Sequence, residues 1–152
     1  MNMKDERQFV GYSKYRSRLV DGHVHTELCP HGSGDRTAMM IEKAIELRIE
    51  KVCLTEHAPL PTAFAAEYGG DKKAYDTASL KLNEVDTYLE LGRQLQRAYG
   101  THIDISLGFE VDYIPGFESD IQEFLDRYGP LTDDNILSVH FMEGVNNAFY
   151  CL

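Results

Sequence analysis

Histidines are concentrated near the amino terminus, in the stretch DGHVHTELCPHGSGD at residues 21–35. His23 and His25 are separated by one residue, and His31 follows in the same stretch. On a β-strand, side chains two residues apart lie on the same face, so both imidazoles of the pair can reach one metal ion. His31 would then come from the following loop to serve a second ion, and Asp21 could orient one imidazole by accepting a hydrogen bond. The stretch predicts a metal-binding site.

Later segments of the chain also end in side chains that bind metals. The apolar, β-branched segment KVCLT runs into Glu56 and His57. A third predicted strand reaches Glu110, and a fourth ends at His140. The carboxyl ends of parallel strands meet on one face of an α/β fold, where the active sites of such folds lie. Four strands could therefore direct at least five ligands to one point.

Each of these signals is weak alone, because an isolated His-x-His pair or a glutamate after a strand is usually structural or exposed. Glu110 differs, since it follows Gly108 and Phe109 inside an apolar run where an unpaired carboxylate would be costly. A bound metal would offset that cost. Five of the six histidines fall at carboxyl strand ends or in the loop after one, and this grouping favours a metal site.

The remaining histidine and two cysteines receive other interpretations. His102 lies at the amino end of its predicted strand, and we interpret it as structural. Cys29 could be a ligand, but we favour a small buried thiol near the site. Cys53 lies in the middle of a strand and is predicted to belong to the core.

Motifs for other kinds of catalysis are missing from the sequence. It contains no Gly-x-Ser-x-Gly elbow, no phosphate loop of the G-x-x-x-x-G-K-S/T type and no G-x-G-x-x-G fingerprint. Nucleophilic catalysis by a side chain therefore has little support. The chemistry is therefore expected to be carried by metal-bound water.

Composition and net charge limit the cellular location and the binding partners that we expect for the protein. The chain has 152 residues, of which 43% are apolar and 26% charged, as in one ordinary globular domain. No apolar run approaches the roughly 20 residues of a membrane span, and three widely spaced cysteines do not form a disulfide framework, so we expect a cytoplasmic location. The net charge of −10 disfavours nucleic-acid and membrane partners. An anionic small molecule stays possible, because bound cations reverse the potential locally.

Short apolar runs alternate with helical patterns along the chain, which indicates a parallel α/β sheet or barrel. Asp35 or Ser33 is the expected N-cap of the first helix. In the predicted helix 77–100, one apolar stripe is shared by Leu82, Val85, Leu89 and Leu95. Residues 58–76 are expected to form a long loop with a short helix. The predicted strands are 17–25, 51–55, 101–114 and 135–140, and the predicted helices are 34–50, 77–100 and 116–130.

The motif order resembles that of the PHP (polymerase and histidinol phosphatase) superfamily. The resemblance depends on HVH at 23–25, His31, TEH at 55–57, GFE at 108–110 and SVH at 138–140. The segments GFEVDYIPGFE and NILSVHFMEG are similar to the stand-alone histidinol-phosphatase group of the superfamily. The match covers nearly the whole chain from residue 20 onward, and the combined order is specific although each motif alone is not.

This resemblance implies a distorted seven-stranded (β/α) barrel of TIM-like form with three divalent metal ions, of which zinc, iron or manganese suits the ligands. It assigns His23, His25 and Glu110 to the first metal. Glu110 would bridge to a second metal, which His140 also holds. The third metal would be bound by His31 and His57. Catalysis through metal-bound water would depend on His23, His25, Glu110 and His140.

The length departs from the family pattern. A closed barrel of this type needs about 250 residues, so this chain is long enough for about four βα units. The family's later motifs, a further His after strand four and an Asp-x-His, are also missing. We therefore expect residues 1–152 to form the N-terminal part of a PHP metal-dependent phosphoesterase domain. Such a part would expose an open barrel edge and self-associate through it.

The implied activity is hydrolysis of a small phosphate monoester, L-histidinol phosphate, in histidine biosynthesis. Two alternatives stay open at this point. One is a PHP-type nuclease or polymerase-associated module, against which the acidity and the lack of a basic groove weigh. The other is a metal-binding fragment without catalytic activity.

Overall fold

The computed structural model describes residues 18–144 and 148–151. Four parallel strands and their connecting helices form the main body, and a short β-hairpin follows. The strands are β1 (Val20–Val24), β2 (Lys51–His57), β3 (Asp104–Asp112), β4 (Ile136–Ser138), β5 (Phe141–Glu143) and β6 (Phe149–Cys151), and the helices are α1 (Thr37–Glu46), α2 (Lys72–Asp76), α3 (Val85–Tyr99) and α4 (Glu118–Tyr128), with 3-10 turns at Thr62–Ala66, Leu82–Glu84 and Gly129–Leu131.

The main sheet has the order β1-β2-β3-β4, and all its neighbouring strands are parallel. β2 and β3 pair without interruption from Lys51 opposite Asp104 to His57 opposite Glu110. β4 pairs only with the last part of β3, beginning with Ile136 opposite Glu110. The predicted alternation of strands and helices in a parallel α/β fold is therefore confirmed, and it places the strand ends that carry the candidate ligands side by side.

The first helix begins later than the sequence predicted. Its N-cap is Arg36, which makes no capping side-chain bond, so the expectation of Asp35 or Ser33 was wrong. Ser33 and Asp35 bond each other instead, with 2.9 Å between the hydroxyl and the carboxylate. Glu27 caps the helix from the preceding loop, because its carboxylate accepts the Thr37 amide at 2.5 Å.

The helix predicted over residues 77–100 is also shorter than expected. Helix α3 begins at Val85, after a 3-10 turn, rather than at residue 77. Leu82 was expected on the apolar stripe, but its side chain is 56% exposed. The reason is local, since the Glu84 carboxylate accepts the Lys81 amide at 2.7 Å and fixes the chain in a turn before α3. Val85 and Leu89 are buried as predicted.

Helices α1, α3 and α4 pack on one side of the sheet through apolar side chains. Tyr88 on α3 does more than fill this core. Its hydroxyl lies 2.9 Å from the Leu54 carbonyl oxygen and 2.6 Å from that of Gly108, and it accepts the Glu56 amide at 3.3 Å. Burial raises the pKa of Tyr88 far above its usual range. The Tyr88 hydroxyl therefore links α3 to both β2 and β3. The linked positions lie two residues before Glu56 on β2 and two residues before Glu110 on β3.

A second, mainly aromatic cluster joins the segments that follow the strands. Phe64 packs edge-to-face against Phe117, Phe141 and Phe149, with ring centroids 5.0–5.3 Å apart. This cluster connects the loop after β2, the start of α4 and the β5–β6 hairpin. It therefore fixes the loops around the carboxyl end of the sheet.

The outer strands of the main sheet expose apolar side chains. Within the described residues β1 and β4 are the edges of the four-stranded sheet. Leu137 and Val139, on β4 and just after it, are 68% and 52% exposed, and Val20 on β1 is 51% exposed. None of the helices that the structure describes is long and apolar enough to span a membrane.

Candidate metal centre

Local irregularity at the end of β1 positions the first two histidines. The register against β2 shifts between Asp21 and Val24, since three steps along β1 match two along β2. Such a bulge changes the direction of the following side chains and is common beside active sites. His23 lies within the bulge and His25 directly follows the strand.

Glu110 is the centre of the histidine cluster. Its side chain is only 3% exposed, and four imidazoles surround it. Oxygen Oε2 lies 2.9 Å from His23 Nε2, 3.3 Å from His25 Nε2 and 3.2 Å from His57 Nδ1. Oxygen Oε1 lies 3.4 Å from His140 Nε2. Both carboxylate oxygens thus lie within reach of imidazole nitrogens, but neutral rings compensate the buried charge only in part.

His31 extends the cluster on the side of His57. Their ring centroids are 5.0 Å apart, and His57 stacks on His25 at 4.3 Å. His31 Nδ1 lies 2.8 Å from the Thr77 carbonyl oxygen, which only accepts hydrogen bonds. His31 therefore carries its proton on Nδ1 in the neutral form, and Nε2 keeps a lone pair.

His25 shows why a cation suits this cluster. Its Nδ1 lies 3.1 Å from Glu56 Oε1, so that nitrogen carries the proton. In the neutral ring the lone pair of Nε2 then faces Glu110 Oε2, and two electron-rich atoms oppose each other at 3.3 Å. The hydrogen bond to Glu56 raises the pKa of His25, against the effect of burial. Either a proton or a metal ion is needed between Nε2 and Glu110.

Glu56 is itself held rigidly. Its Oε2 accepts the Thr26 amide at 2.8 Å and the Thr26 hydroxyl at 2.7 Å. The hydrogen bonds from His25 and Thr26 lower the pKa of Glu56, although burial acts in the opposite direction. Glu56 was predicted as a strand-end residue able to bind metal, and the structure places its carboxylate against His25 Nδ1.

His57 has a nitrogen without a hydrogen-bond partner. Its side chain is 9% exposed, and Nδ1 is buried without a hydrogen bond in the described structure. The 3.2 Å contact with Glu110 Oε2 is short, but its geometry is not that of a hydrogen bond. Burial, together with the nearby His25, lowers the pKa of His57 to about 4. A neutral imidazole with an unused buried nitrogen is what a metal site requires.

Asp112 is a site residue that the sequence interpretation missed. It lies two residues after Glu110 on β3, and its Oδ1 lies 2.9 Å from His140 Nδ1. Asp21, which was expected to orient an imidazole, makes no hydrogen bond to a histidine among the described residues. The carboxylates of Glu56 and Asp112 accept these bonds instead. The spacing of Asp112 from Glu110 was the signal, because residues two apart on a strand share a face.

Cys29, Cys53 and His102 lie where the sequence predicted. Cys29 is buried, and its sulfur lies within 4.8 Å of a ring nitrogen of both His25 and His57. Burial raises the pKa of Cys29, which favours the neutral thiol. Cys53 is buried as expected. His102 is exposed and precedes β3, at the opposite end of the sheet from Glu110.

Among the described residues, potential donor atoms form three groups, in each of which all atoms lie within 4.8 Å of one another. Imidazole nitrogen and carboxylate oxygen are ligands of zinc, iron and manganese, so the cluster fits divalent cations of this class. The predicted first set is among the groups, whereas His31, placed beside His57, is in none of them. The groups are His23–His25–Glu110, His57–Asp112–His140 and His25–Cys29–His57.

Comparison with known families agrees with this geometry. Residues 21–151 match the PHP domain, which is most of the chain. The chain belongs to the PHP family. The earlier resemblance is thereby confirmed, and so is the parallel α/β architecture of part of a PHP barrel.

Named PHP relatives are histidinol phosphatases. The Bacillus subtilis histidinol-phosphatase is 39% identical over 132 residues, which are 87% of this chain and 47% of that protein. A crystal structure of a candidate histidinol phosphatase from Listeria monocytogenes is 42% identical, with a TM-score of 0.84, over 87% of this chain and 48% of that one. The chain thus spans about half the length of the relatives that it matches.

A third PHP relative was solved with ligands. It is the histidinol phosphate phosphatase of Lactococcus lactis, in complex with zinc, L-histidinol and phosphate. Identity is 26% and the TM-score is 0.63, over 82% of this chain and 41% of that one.

Proposed function

We propose that this chain is part of a metal-dependent phosphatase that hydrolyses L-histidinol phosphate to L-histidinol and phosphate, as a step of histidine biosynthesis. The observation that supports the proposal most is the buried Glu110 carboxylate within reach of four imidazoles at the carboxyl ends of parallel strands. The names of the PHP relatives supply the substrate. Residues 1–152 would form the N-terminal part of the phosphoesterase domain.

The cluster residues divide among three divalent ions in this proposal, and zinc, iron or manganese would suit them. His23, His25 and Glu110 hold the first ion. Glu110 and His140 hold the second. His31 and His57 hold the third. When bound, such ions polarise a phosphoryl oxygen and lower the pKa of water.

The protein's own groups orient the ligands and supply negative charge. Glu56 fixes the His25 ring so that Nε2 points to Glu110. The Thr77 carbonyl oxygen fixes the His31 ring through Nδ1, which leaves Nε2 of His31 with its lone pair. Because these rings are held before substrate arrives, little reorganisation is needed during the reaction. The partner is a small phosphate ester rather than nucleic acid or membrane, and the enzyme would act in the cytoplasm.

Turnover by the purified chain tests the activity. With zinc added, we expect release of phosphate from L-histidinol phosphate at a low rate relative to the Bacillus subtilis enzyme, loss of that release on chelation, and no cleavage of single-stranded DNA. His102→Gln, which changes an exposed histidine at the opposite end of the sheet, serves as the control and should behave as wild type. Cleavage of DNA, or metal binding without any phosphate release, would contradict the proposal.

We also infer that the exposed edge of β4 causes self-association. Leu137 is 68% exposed on an edge strand, and a lysine there would oppose pairing with another chain. In sedimentation velocity, the wild-type chain should form dimers or larger species, and Leu137→Lys should shift it toward monomer. Leu47→Lys, at a helix end with 57% exposure, is the matched control and should not. A wild-type monomer at all concentrations would refute this inference.

A further inference from the structure

A second carboxylate lies beside Glu110 on β3. The side chain of Asp112 is 6% exposed, and its Oδ1 is within hydrogen-bond distance of three donors. They are His140 Nδ1 at 2.9 Å, the His140 backbone amide at 3.0 Å and the Ser138 hydroxyl at 3.3 Å. Asp112 therefore contacts both the ring and the backbone of His140.

These contacts determine how the His140 ring is protonated. A carboxylate only accepts hydrogen bonds, so His140 Nδ1 carries the proton. The other nitrogen, Nε2, then keeps its lone pair and lies 3.4 Å from Glu110 Oε1. The bond to the His140 backbone amide fixes the position of the residue as well as the rotation of its ring.

We propose that Asp112 is a positioning residue, which holds His140 in the Nδ1-protonated tautomer with Nε2 directed at Glu110. The inference rests on the proposed function, because that function requires Nε2 of His140 to bind a metal ion. Carboxylates that hold metal-binding histidines in this way are a general feature of metal sites. Asp112 could instead be a direct ligand with His57 and His140, whose donor atoms lie within 4.8 Å of its own. We favour positioning, because Oδ1 is already occupied by three donors.

Nitrogen NMR of the metal-free chain tests the tautomer directly. In two-bond ¹H–¹⁵N spectra of the labelled chain, His140, identified by its loss in His140→Gln, should show a protonated Nδ1 and a bare Nε2. In Asp112→Ala the His140 signals should shift toward the Nε2-protonated form. Asp112→Asn keeps the size of the side chain and should give a smaller shift in the same direction, which preserves the test if the alanine variant does not fold.

Two control variants separate this role from a general charge effect. Asp120→Asn removes an exposed carboxylate that lines the same cavity of about 220 Å³ as Asp112, and it should leave His140 unchanged. Glu56→Gln should alter the His25 signals and not those of His140. Unchanged His140 signals in both Asp112 variants would overturn the proposal. Because no metal or substrate is present, that result is distinct from a failure of the proposed function.

Zinc titration with a competing chelator provides the second readout. Loss of a carboxylate that orients a metal-binding histidine typically weakens metal affinity about 10–100-fold. We expect a loss of that size for the weakest zinc site in Asp112→Ala, and none in Asp120→Asn. If Asp112→Ala loses a zinc site while the metal-free tautomer of His140 stays the same, Asp112 is a ligand and the positioning role is wrong.

Discussion

Replacing Glu110 by glutamine should abolish zinc binding, with a loss of affinity of more than about 100-fold, above the range for residues that only orient ligands. The carboxylate contacts His23, His25, His57 and His140, so its loss affects every part of the cluster at once. A neutral amide has one oxygen where the carboxylate has two, and it cannot balance the charge of a divalent ion. Phosphate release should disappear with the metal.

In the metal-free chain, Glu110→Gln should not lower the thermal stability. Glu110 is a buried carboxylate surrounded by imidazoles, and His57 among them is neutral at pH 7 because burial lowers its pKa to about 4. Burying an ionised carboxylate is costly unless it is fully paired, and a glutamine of similar size removes that cost. Metal-free Glu110→Gln should therefore unfold at the wild-type temperature or above it.

Thermal unfolding with and without zinc separates the two effects. At a free zinc concentration 100 times the dissociation constant, binding to the folded state stabilises it by about 2.7 kcal/mol. Wild type should show this stabilisation and Glu110→Gln should show none. Glu123→Gln, at a helical position outside the cluster, is the matched control and should respond to zinc as wild type does. A zinc response of normal size in Glu110→Gln would disprove the central role of this carboxylate.

Strand ends were the most predictable part of the site. His57 and Glu110 follow apolar runs, and the parallel pairing of β2 and β3 places them directly opposite each other. His140 also follows an apolar run, but it lies four residues beyond Ile136, the partner of Glu110, and it reaches that carboxylate after the end of β4. The His-x-His pair was predicted to share a strand face, and the structure places both rings against Glu110. The bulge in β1 was not predictable, because the register shift between Asp21 and Val24 depends on pairing with β2 rather than on local sequence.

The residues that orient the histidines were harder to find. Asp112 could have been found from its two-residue spacing after Glu110, whereas the Thr77 carbonyl that contacts His31 comes from a segment 46 residues away. Backbone acceptors of this kind leave no pattern in the sequence. The start of α1 was missed for a similar reason, since its cap is Glu27, ten residues before Thr37.

Gly108 is the position where one added methyl group should damage both the fold and the site. A Cβ at Gly108 would lie 1.5 Å from the Asp134 carbonyl oxygen and 2.7 Å from its carbonyl carbon. Backbone atoms cannot rotate away as a side chain does, so the loop before β4 must separate from β3. Three hydrogen bonds hold the two together, and they join Leu107 and Phe109 to Asp133 and Asn135 at 2.7–2.9 Å.

Gly108→Ala should therefore lower the free energy of unfolding by about 3 kcal/mol or more, from overpacking and the loss of hydrogen bonds worth about 1 kcal/mol each. Glu110 lies two residues further along the same strand, so zinc affinity should fall as well. Two other glycines give a graded control in urea unfolding. In Gly92→Ala the nearest atoms belong to the Leu107 side chain, which can shift more easily than backbone, so this variant should cost less. Gly129→Ala meets nothing within 4 Å and should be nearly neutral. Equal stability of the three variants would show that the β3–β4 contact does not constrain Gly108, and the position of Glu110 would then need another explanation.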